Sequence, residues 1–275
     1  MTHVASPRPD ARPIRLLLLM LALAWLLSGC AAPAPSAGDP SAGPITEFDE
    51  PEARKRARIR MELATGYFEQ GRTDIALDEI KQALAADASY VPAFILRGLV
   101  FMQMNNPRLA EESFQRALQL SPRDPDALHN YGWFQCQQGR HAQAVEFFNR
   151  ALASPVYGGQ ARTYMAKGVC QVRMGQLAEA EGSLARSYEL DPGNPIAGYN
   201  LALLLFARGE DERAQFIVRR LNNSELANAE TLWLGIKIER RLGNAEVVEQ
   251  LANQLGRRFA ESREWGLYQR GAFHE

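Results

Sequence analysis

The chain has 275 residues, of which 46% are hydrophobic and 23% are charged, and this balance is typical of a soluble globular protein. Its 31 Lys and Arg residues almost balance its 32 Asp and Glu residues, so the formal net charge is −1. The sequence therefore lacks the basic surface that attracts nucleic acids, and we expect no nucleic acid among its partners.

Residues 1–29 have the pattern of a bacterial lipoprotein signal peptide. Three arginines precede an apolar stretch, residues 16–27, which is too short to cross a bilayer comfortably. This stretch ends in Leu-Ser-Gly-Cys at residues 27–30, which resembles the lipobox where a peptidase cleaves and a diacylglycerol is attached to the Cys sulfur. An ordinary secretory signal that happens to contain a Cys is the alternative. We expect cleavage before Cys30 and lipidation of Cys30.

Residues 30–51 are predicted to form a lipidated tether. Each buried CH₂ group contributes about 0.8 kcal/mol, so the two or three acyl chains of a bacterial lipoprotein should anchor the protein permanently. Ala31 stands where inner-membrane lipoproteins of Gram-negative bacteria usually have Asp, and by that resemblance we expect sorting to the periplasmic face of the outer membrane. Residues 31–44 are rich in Ala, Pro, Gly and Ser and cannot bury a core, so we expect a flexible spacer.

Residues 52–275 are predicted to form one all-α domain of repeated helix pairs. The pattern recurs with a period of about 34 residues, with small and large residues alternating on two helices and Gly or Asn at the turn between them. This resembles the tetratricopeptide family, which implies a right-handed superhelical solenoid. The six predicted repeats are residues 57–90, 91–124, 125–158, 161–194, 195–228 and 229–262, followed by a capping tail.

The sequence contains no recognisable catalytic or cofactor-binding motif. No two of its four His residues share a helix face at the spacing of metal ligands. Phosphate-binding loops, nucleophile elbows and paired-carboxylate motifs are also missing from the sequence. We therefore expect no enzymatic activity, no cofactor, no metal and no small-molecule substrate.

Cys136 and Cys170 are the two thiols besides Cys30. In an oxidising compartment such a pair invites a disulfide. However, the two stand at the twelfth and tenth places of first helices in adjacent repeats, whose axes are about 8–10 Å apart, beyond the usual Cα separation of a disulfide. We favour two separate thiols, with the disulfide as the alternative.

The inner face of such a superhelix is lined mainly by the second, fifth, ninth, twelfth and thirteenth places of each first helix, and here these places are largely apolar. An exposed apolar strip usually marks a binding site, and an amphipathic helix or an extended peptide would fit it. In the alternative, the superhelix is tightly wound and these residues only contact the neighbouring turn. The predicted partner-binding groove consists of Phe68, Ile95, Leu99, Met102, His129, Trp133, Met165, Val169, Tyr199 and Phe206, and Leu203, Trp233 and Lys237 occupy equivalent places.

Two asparagines, Asn130 and Asn200, stand at equivalent sixth places of their repeats. Their side-chain amides could bond the backbone of a partner in the groove, or they could cap local structure. The sequence alone favours neither role.

Residues 129–136, His-Asn-Tyr-Gly-Trp-Phe-Gln-Cys, are similar to the Asn-Tyr-Gly-x-Phe-Leu-Cys segment of type IV pilus biogenesis lipoproteins, with Gln135 in place of Leu. Residues 63–67, 151–157 and 232–236 carry further similarity. This resemblance implies a non-enzymatic pilotin that binds the pilus secretin and promotes its localisation and multimerisation in the outer membrane. It further implies binding near the first repeats, at Phe68, Ile95, Leu99, Met102 and Trp133.

Two other functions stay open from the sequence. One is a periplasmic scaffold or adaptor lipoprotein for cell-wall enzymes or outer-membrane assembly factors, which would share the anchor and the fold. The other is an accessory protein with a hidden catalytic site, for which the sequence offers no set of residues.

Overall fold

A computed structural model of the protein describes residues 50–274. Every regular element in this range is an α-helix, which confirms the predicted all-α solenoid of tetratricopeptide repeats. The predicted signal peptide, Cys30 and nearly all of the tether lie outside the described residues. Within the described residues, no helix is both long enough and apolar enough to cross a bilayer.

Twelve of the described helices form six consecutive pairs, and a short thirteenth helix follows them. The first helix begins five residues before the predicted start of the first repeat at Ala57. The helices are α1 (Glu52–Glu69), α2 (Thr73–Ala86), α3 (Val91–Gln103), α4 (Pro107–Leu120), α5 (Pro125–Gln137), α6 (His141–Leu152), α7 (Gln160–Arg173), α8 (Leu177–Leu190), α9 (Pro195–Ala207), α10 (Asp211–Asn222), α11 (Ala229–Arg241), α12 (Ala245–Arg258) and α13 (Arg263–Gln269).

The turn inside each pair depends on a residue in the left-handed region of backbone conformation. In the second repeat this residue is Asn105, with φ of 54°. Asn is among the few residues other than Gly that adopt this conformation readily, which explains the alternation of Gly and Asn in the sequence. In the other repeats φ lies between 73° and 81° at Gly71, Gly139, Gly175, Gly209 and Gly243.

Two first helices, α5 and α9, begin with a polar cap followed by proline. The side chain of Asp124 accepts a hydrogen bond of 2.8 Å from the amide of Ala127, and Pro125 follows as the first helical residue. Asn194 and Pro195 start α9 in the same way. Proline suits this position because the first amides of a helix have no acceptor within the helix.

The two helices of a pair approach closely where the eighth place is Gly. A Cβ atom added to Gly98 would lie 2.6 Å from the ring of Phe114, and one added to Gly132 would lie 3.0 Å from the ring of Phe148. Both rings are fully buried. The predicted combination of small and large residues is therefore what lets each pair close.

The first helices form the inner face of the solenoid. Each first helix from α1 to α11 brings Cα atoms within 8 Å of the first helix of the next pair, whereas no two of the described second helices come this close. The first helices are therefore closer together than the second helices. Such a stack is curved, and the first helices lie on its concave side. Helix α13 contacts α11 and α12, at the position of a further first helix.

Candidate partner-binding groove

The ninth residue of each predicted repeat lies on its first helix, and these residues form a row along the inner face. Residues on either side of it in sequence are mostly buried, since they pack on the second helix or on the neighbouring first helix. The ninth residue itself stays exposed or half-buried in all six repeats. From the first repeat to the sixth the row reads Thr65, Leu99, Trp133, Val169, Leu203 and Lys237.

The ten groove residues predicted from the sequence lie on α1, α3, α5, α7 and α9. Nine of them are half-buried, so that part of each side chain contacts neighbouring helices and part remains accessible. These nine are Phe68, Ile95, Leu99, Met102, Trp133, Met165, Val169, Tyr199 and Phe206.

His129 does not line an open groove, and the structure corrects this expectation. Its side chain is 9% exposed, and its Nδ1 lies 2.8 Å from the hydroxyl oxygen of Thr163. The same hydroxyl lies 3.2 Å from the phenol oxygen of Tyr157, in the displaced segment between the third and fourth repeats. Burial, and secondarily the charge of Arg162, lower the pKa of His129 to about 3. His129 is therefore a neutral residue that links α5 to α7.

Cys136 and Cys170 form a disulfide, so the expectation of two separate thiols is wrong. Their Cα atoms are 5.9 Å apart. The distance between the axes of two helices is larger than the distance between Cα atoms on their facing sides. Each Cα lies about 2.3 Å from its axis, so Cα atoms on facing sides of two first helices come within the range of a disulfide. The bond fastens α5 to α7, and the ring of Trp133 packs against the cluster that contains it.

The disulfide lies beside a third possible metal ligand, His141. The ligand atoms of Cys136, His141 and Cys170 all lie within 4.8 Å of one another. Because the two sulfurs are bonded to each other, neither is a thiolate, and thiolate is the form of Cys that holds a metal. The oxidised chain thus offers only the imidazole at this position.

Cations lie over several aromatic rings of the inner face. The guanidinium of Arg173 is 5.7 Å from the ring centroid of Trp133, and that of Arg241 is 3.9 Å from the ring centroid of Phe206. Neither arginine is among the residues predicted from the sequence, although both stand at the thirteenth place. Arg173 therefore adds a positive charge beside the apolar surface, which favours partners that carry acidic groups.

Asn130 and Asn200 use their amide nitrogens within their own helices. Asn130 donates to the carbonyl of Asp126, and Asn200 donates to the carbonyl of Ile196, each at 2.8 Å. Of the two roles considered for these residues, the structure therefore favours the local one.

Family profiles agree with this architecture. Two profiles described as tetratricopeptide repeat match residues 95–157 and 171–231. Together with the helix pairs and the inner face of first helices, they define the chain as a tetratricopeptide repeat protein, a class of protein-interaction scaffolds.

Relatives that match nearly the full repeat domain identify the family more closely. The type IV pilus assembly protein PilF of Pseudomonas aeruginosa is 27% identical over 252 residues, which make up 91% of this chain and 96% of PilF. The solved structure of P. aeruginosa PilF gives a TM-score of 0.74 at 25% identity, covering 80% of this chain and 99% of that one. The solved structure of PilW, a widely conserved type IV pilus biogenesis factor, gives a TM-score of 0.69 at 30% identity, covering 78% of this chain and 98% of that one. The chain belongs to this family of tetratricopeptide repeat proteins for type IV pilus biogenesis.

Proposed function

We propose that the protein is a pilotin: a lipid-anchored protein of the outer membrane that binds the pilus secretin and promotes its localisation and multimerisation. Family membership supports a role in pilus biogenesis. The observation that supports the binding mechanism is a group of half-buried apolar side chains on α1, α3 and α5. We call this group the apolar strip, and it consists of Phe68, Ile95, Leu99, Met102 and Trp133.

The apolar strip has the properties of a surface that a second polypeptide can cover. Leu99 packs against the core clusters of both the first and the second repeat, so its position is fixed by the fold. Covering the accessible part of such side chains contributes about 25 cal/mol per Å² of apolar surface removed from water. Met102 adds a flexible side chain that adapts to the shape of a partner.

Complementation of a deletion strain tests this proposal. Without the protein, we expect the strain to lack secretin multimers and surface pili, and the wild-type gene should restore both. Leu99→Glu or Trp133→Glu places a charge in the apolar strip, and should weaken binding of the purified secretin by tenfold or more, on the order of 1.4 kcal/mol.

A matched control comes from the outer face. Phe216 on α10 is 72% exposed, so Phe216→Glu makes the same kind of change away from the apolar strip and should complement fully. All three variants should keep the wild-type helical content. Normal secretin multimers in the deletion strain would refute the proposal. Recovery of cell-wall enzymes or assembly factors with the lipidated protein, instead of secretin, would favour the adaptor function.

A further inference from the structure

The far end of the groove differs in chemistry from the apolar strip. Lys237 is the one charged residue in the ninth-place row, where the five preceding repeats have Thr, Leu, Trp, Val and Leu. Its ammonium nitrogen lies 5.5 Å from the ring centroid of Trp233 and 6.0 Å from that of Phe206. We call these three residues the lysine site.

The ammonium of Lys237 has no carboxylate partner among the described residues. Burial by itself lowers the pKa of Lys237, with no contribution from a neighbouring charge. Arg241, one turn further along α11, is different: it is paired with Asp211 and donates to the carbonyl of Phe206. Lys237 is thus a half-buried cation whose neighbours are aromatic rings.

The aromatic surroundings of the lysine site are held in place by the tail. Trp233 is 5% exposed, and its ring stacks on Phe273 with centroids 5.3 Å apart. Its indole nitrogen is buried without a hydrogen-bond acceptor among the described residues. The site therefore combines a cation that has no carboxylate partner among the described residues with two aromatic rings beside it.

Negative charge lies towards the other end of α11. Glu230 stands seven residues before Lys237, which corresponds to about 10 Å along the helix axis. Burial raises the pKa of Tyr199, and the negative charges of Glu230 and Glu264 raise it further. A carboxylate of a bound segment would be repelled there and attracted at Lys237.

We propose that the lysine site binds an acidic side chain, Asp or Glu, within an apolar segment of a partner polypeptide. The carboxylate pairs with the ammonium of Lys237, and the flanking apolar residues cover Phe206 and Leu203, which is 37% exposed. A free chain terminus carries the same negative charge, and the tests below distinguish it from a side chain. This site is separate from the apolar strip, so one partner can be held at two points.

Selection of peptides on the intact protein tests the proposal without assuming that the partner is the secretin. A library of random 12-residue peptides, displayed on phage with the carboxyl end fused to the coat protein, is selected on the detergent-solubilised full chain. Binders are then sorted by whether Lys237→Met abolishes binding. We expect Lys237-dependent binders to share an Asp or Glu flanked by apolar residues.

Synthetic peptides with amidated ends then give affinities by fluorescence anisotropy. Lys237→Met, or Glu→Gln in the peptide, should each weaken the Kd by about tenfold, and the two changes together should weaken it no further. Arg220→Met, which removes a cation from the exposed outer face of α10, and Leu99→Glu, in the apolar strip, should each leave the Kd unchanged. If Leu99→Glu weakens secretin binding but leaves the affinity for these peptides unchanged, the two sites are separate.

Three results would overturn the proposal. The first is that no Lys237-dependent peptide is enriched, or that such peptides lack an acidic residue. The second is that synthetic versions of these peptides bind when the carboxyl end is a free acid and do not bind when it is amidated. The third is that sedimentation shows self-association of the protein that Lys237→Met abolishes, which would make a second copy the occupant.

Discussion

The side chain of His129 gives the fold a defined dependence on pH. In the folded chain its pKa is about 3, chiefly because it is buried. In the unfolded chain the ordinary value of about 6.5 applies. Between these two values the unfolded chain binds a proton that the folded chain does not. This residue's contribution to stability is therefore complete above pH 6.5 and is lost as the pH falls towards 3.

Replacing His129 should remove this part of the acid sensitivity. Below pH 6.5 the wild-type free energy of unfolding should fall by about 1.4 kcal/mol per pH unit from this residue, whereas His129→Gln should lack this contribution. Urea unfolding at pH 7, 6 and 5 measures the difference in slope. The control is His274→Gln, on the exposed tail, which should keep the wild-type slope. Equal slopes for wild type and His129→Gln would contradict the burial of a neutral imidazole.

At the scale of helices and turns, the sequence predicts what is encoded locally. Gly or Asn at each turn and the small residues at the eighth place are local signals, and the helix pairs follow from them. The burial of His129 was not predictable, because it depends on Tyr157 in the irregular segment between repeats. The Cys136–Cys170 bond is not encoded locally either. The contact is set by the relative placement of two first helices across that segment, which the repeat period does not specify.

The disulfide should stabilise the contact between α5 and α7. It closes a loop across a sequence separation of 34, and loop-closure entropy for such a length amounts to about 3–4 kcal/mol. Reduction of the wild type, or the double replacement Cys136→Ser and Cys170→Ser, should lower the free energy of unfolding by roughly this amount. Urea unfolding with and without a phosphine reductant measures it.

The double variant is also the control for the reductant, which should not change its stability further. Because the ring of Trp133 packs against the disulfide cluster, binding at the apolar strip should weaken on reduction as well. A wild type whose stability is the same in its reduced and oxidised forms would show that the fold alone fixes these two helices.

For the whole molecule, the curvature of the solenoid gathers one residue per repeat into a single accessible row. The row changes character along its length, from apolar residues in the second to fifth repeats to a lysine among aromatic rings in the sixth. The disulfide fastens the middle of the row, and α13 with its following tail covers the last pair. A partner that binds both ends would therefore be held across repeats whose spacing is fixed, rather than by one flexible contact.

We propose that the predicted lipid anchor decides where this surface acts. Replacement of Cys30 by Ser should abolish palmitate labelling and move the protein from the outer membrane to the soluble periplasmic fraction, because the acyl chains supply the membrane affinity. Purified Cys30→Ser should still bind the secretin like the wild type, since residue 30 is outside the repeat domain that carries the groove. Cells that express it should nevertheless form fewer secretin multimers in the outer membrane.

A second variant separates anchoring from sorting. Ala31→Asp keeps the lipid but introduces the residue typical of inner-membrane lipoproteins, so the labelled protein should move to the inner membrane and secretin multimers should form there or not at all. Membrane fractionation on a sucrose gradient distinguishes these outcomes. If Cys30→Ser stayed in the outer membrane, attachment would depend on the repeat domain or its partner, and the lipid would have no part in delivery.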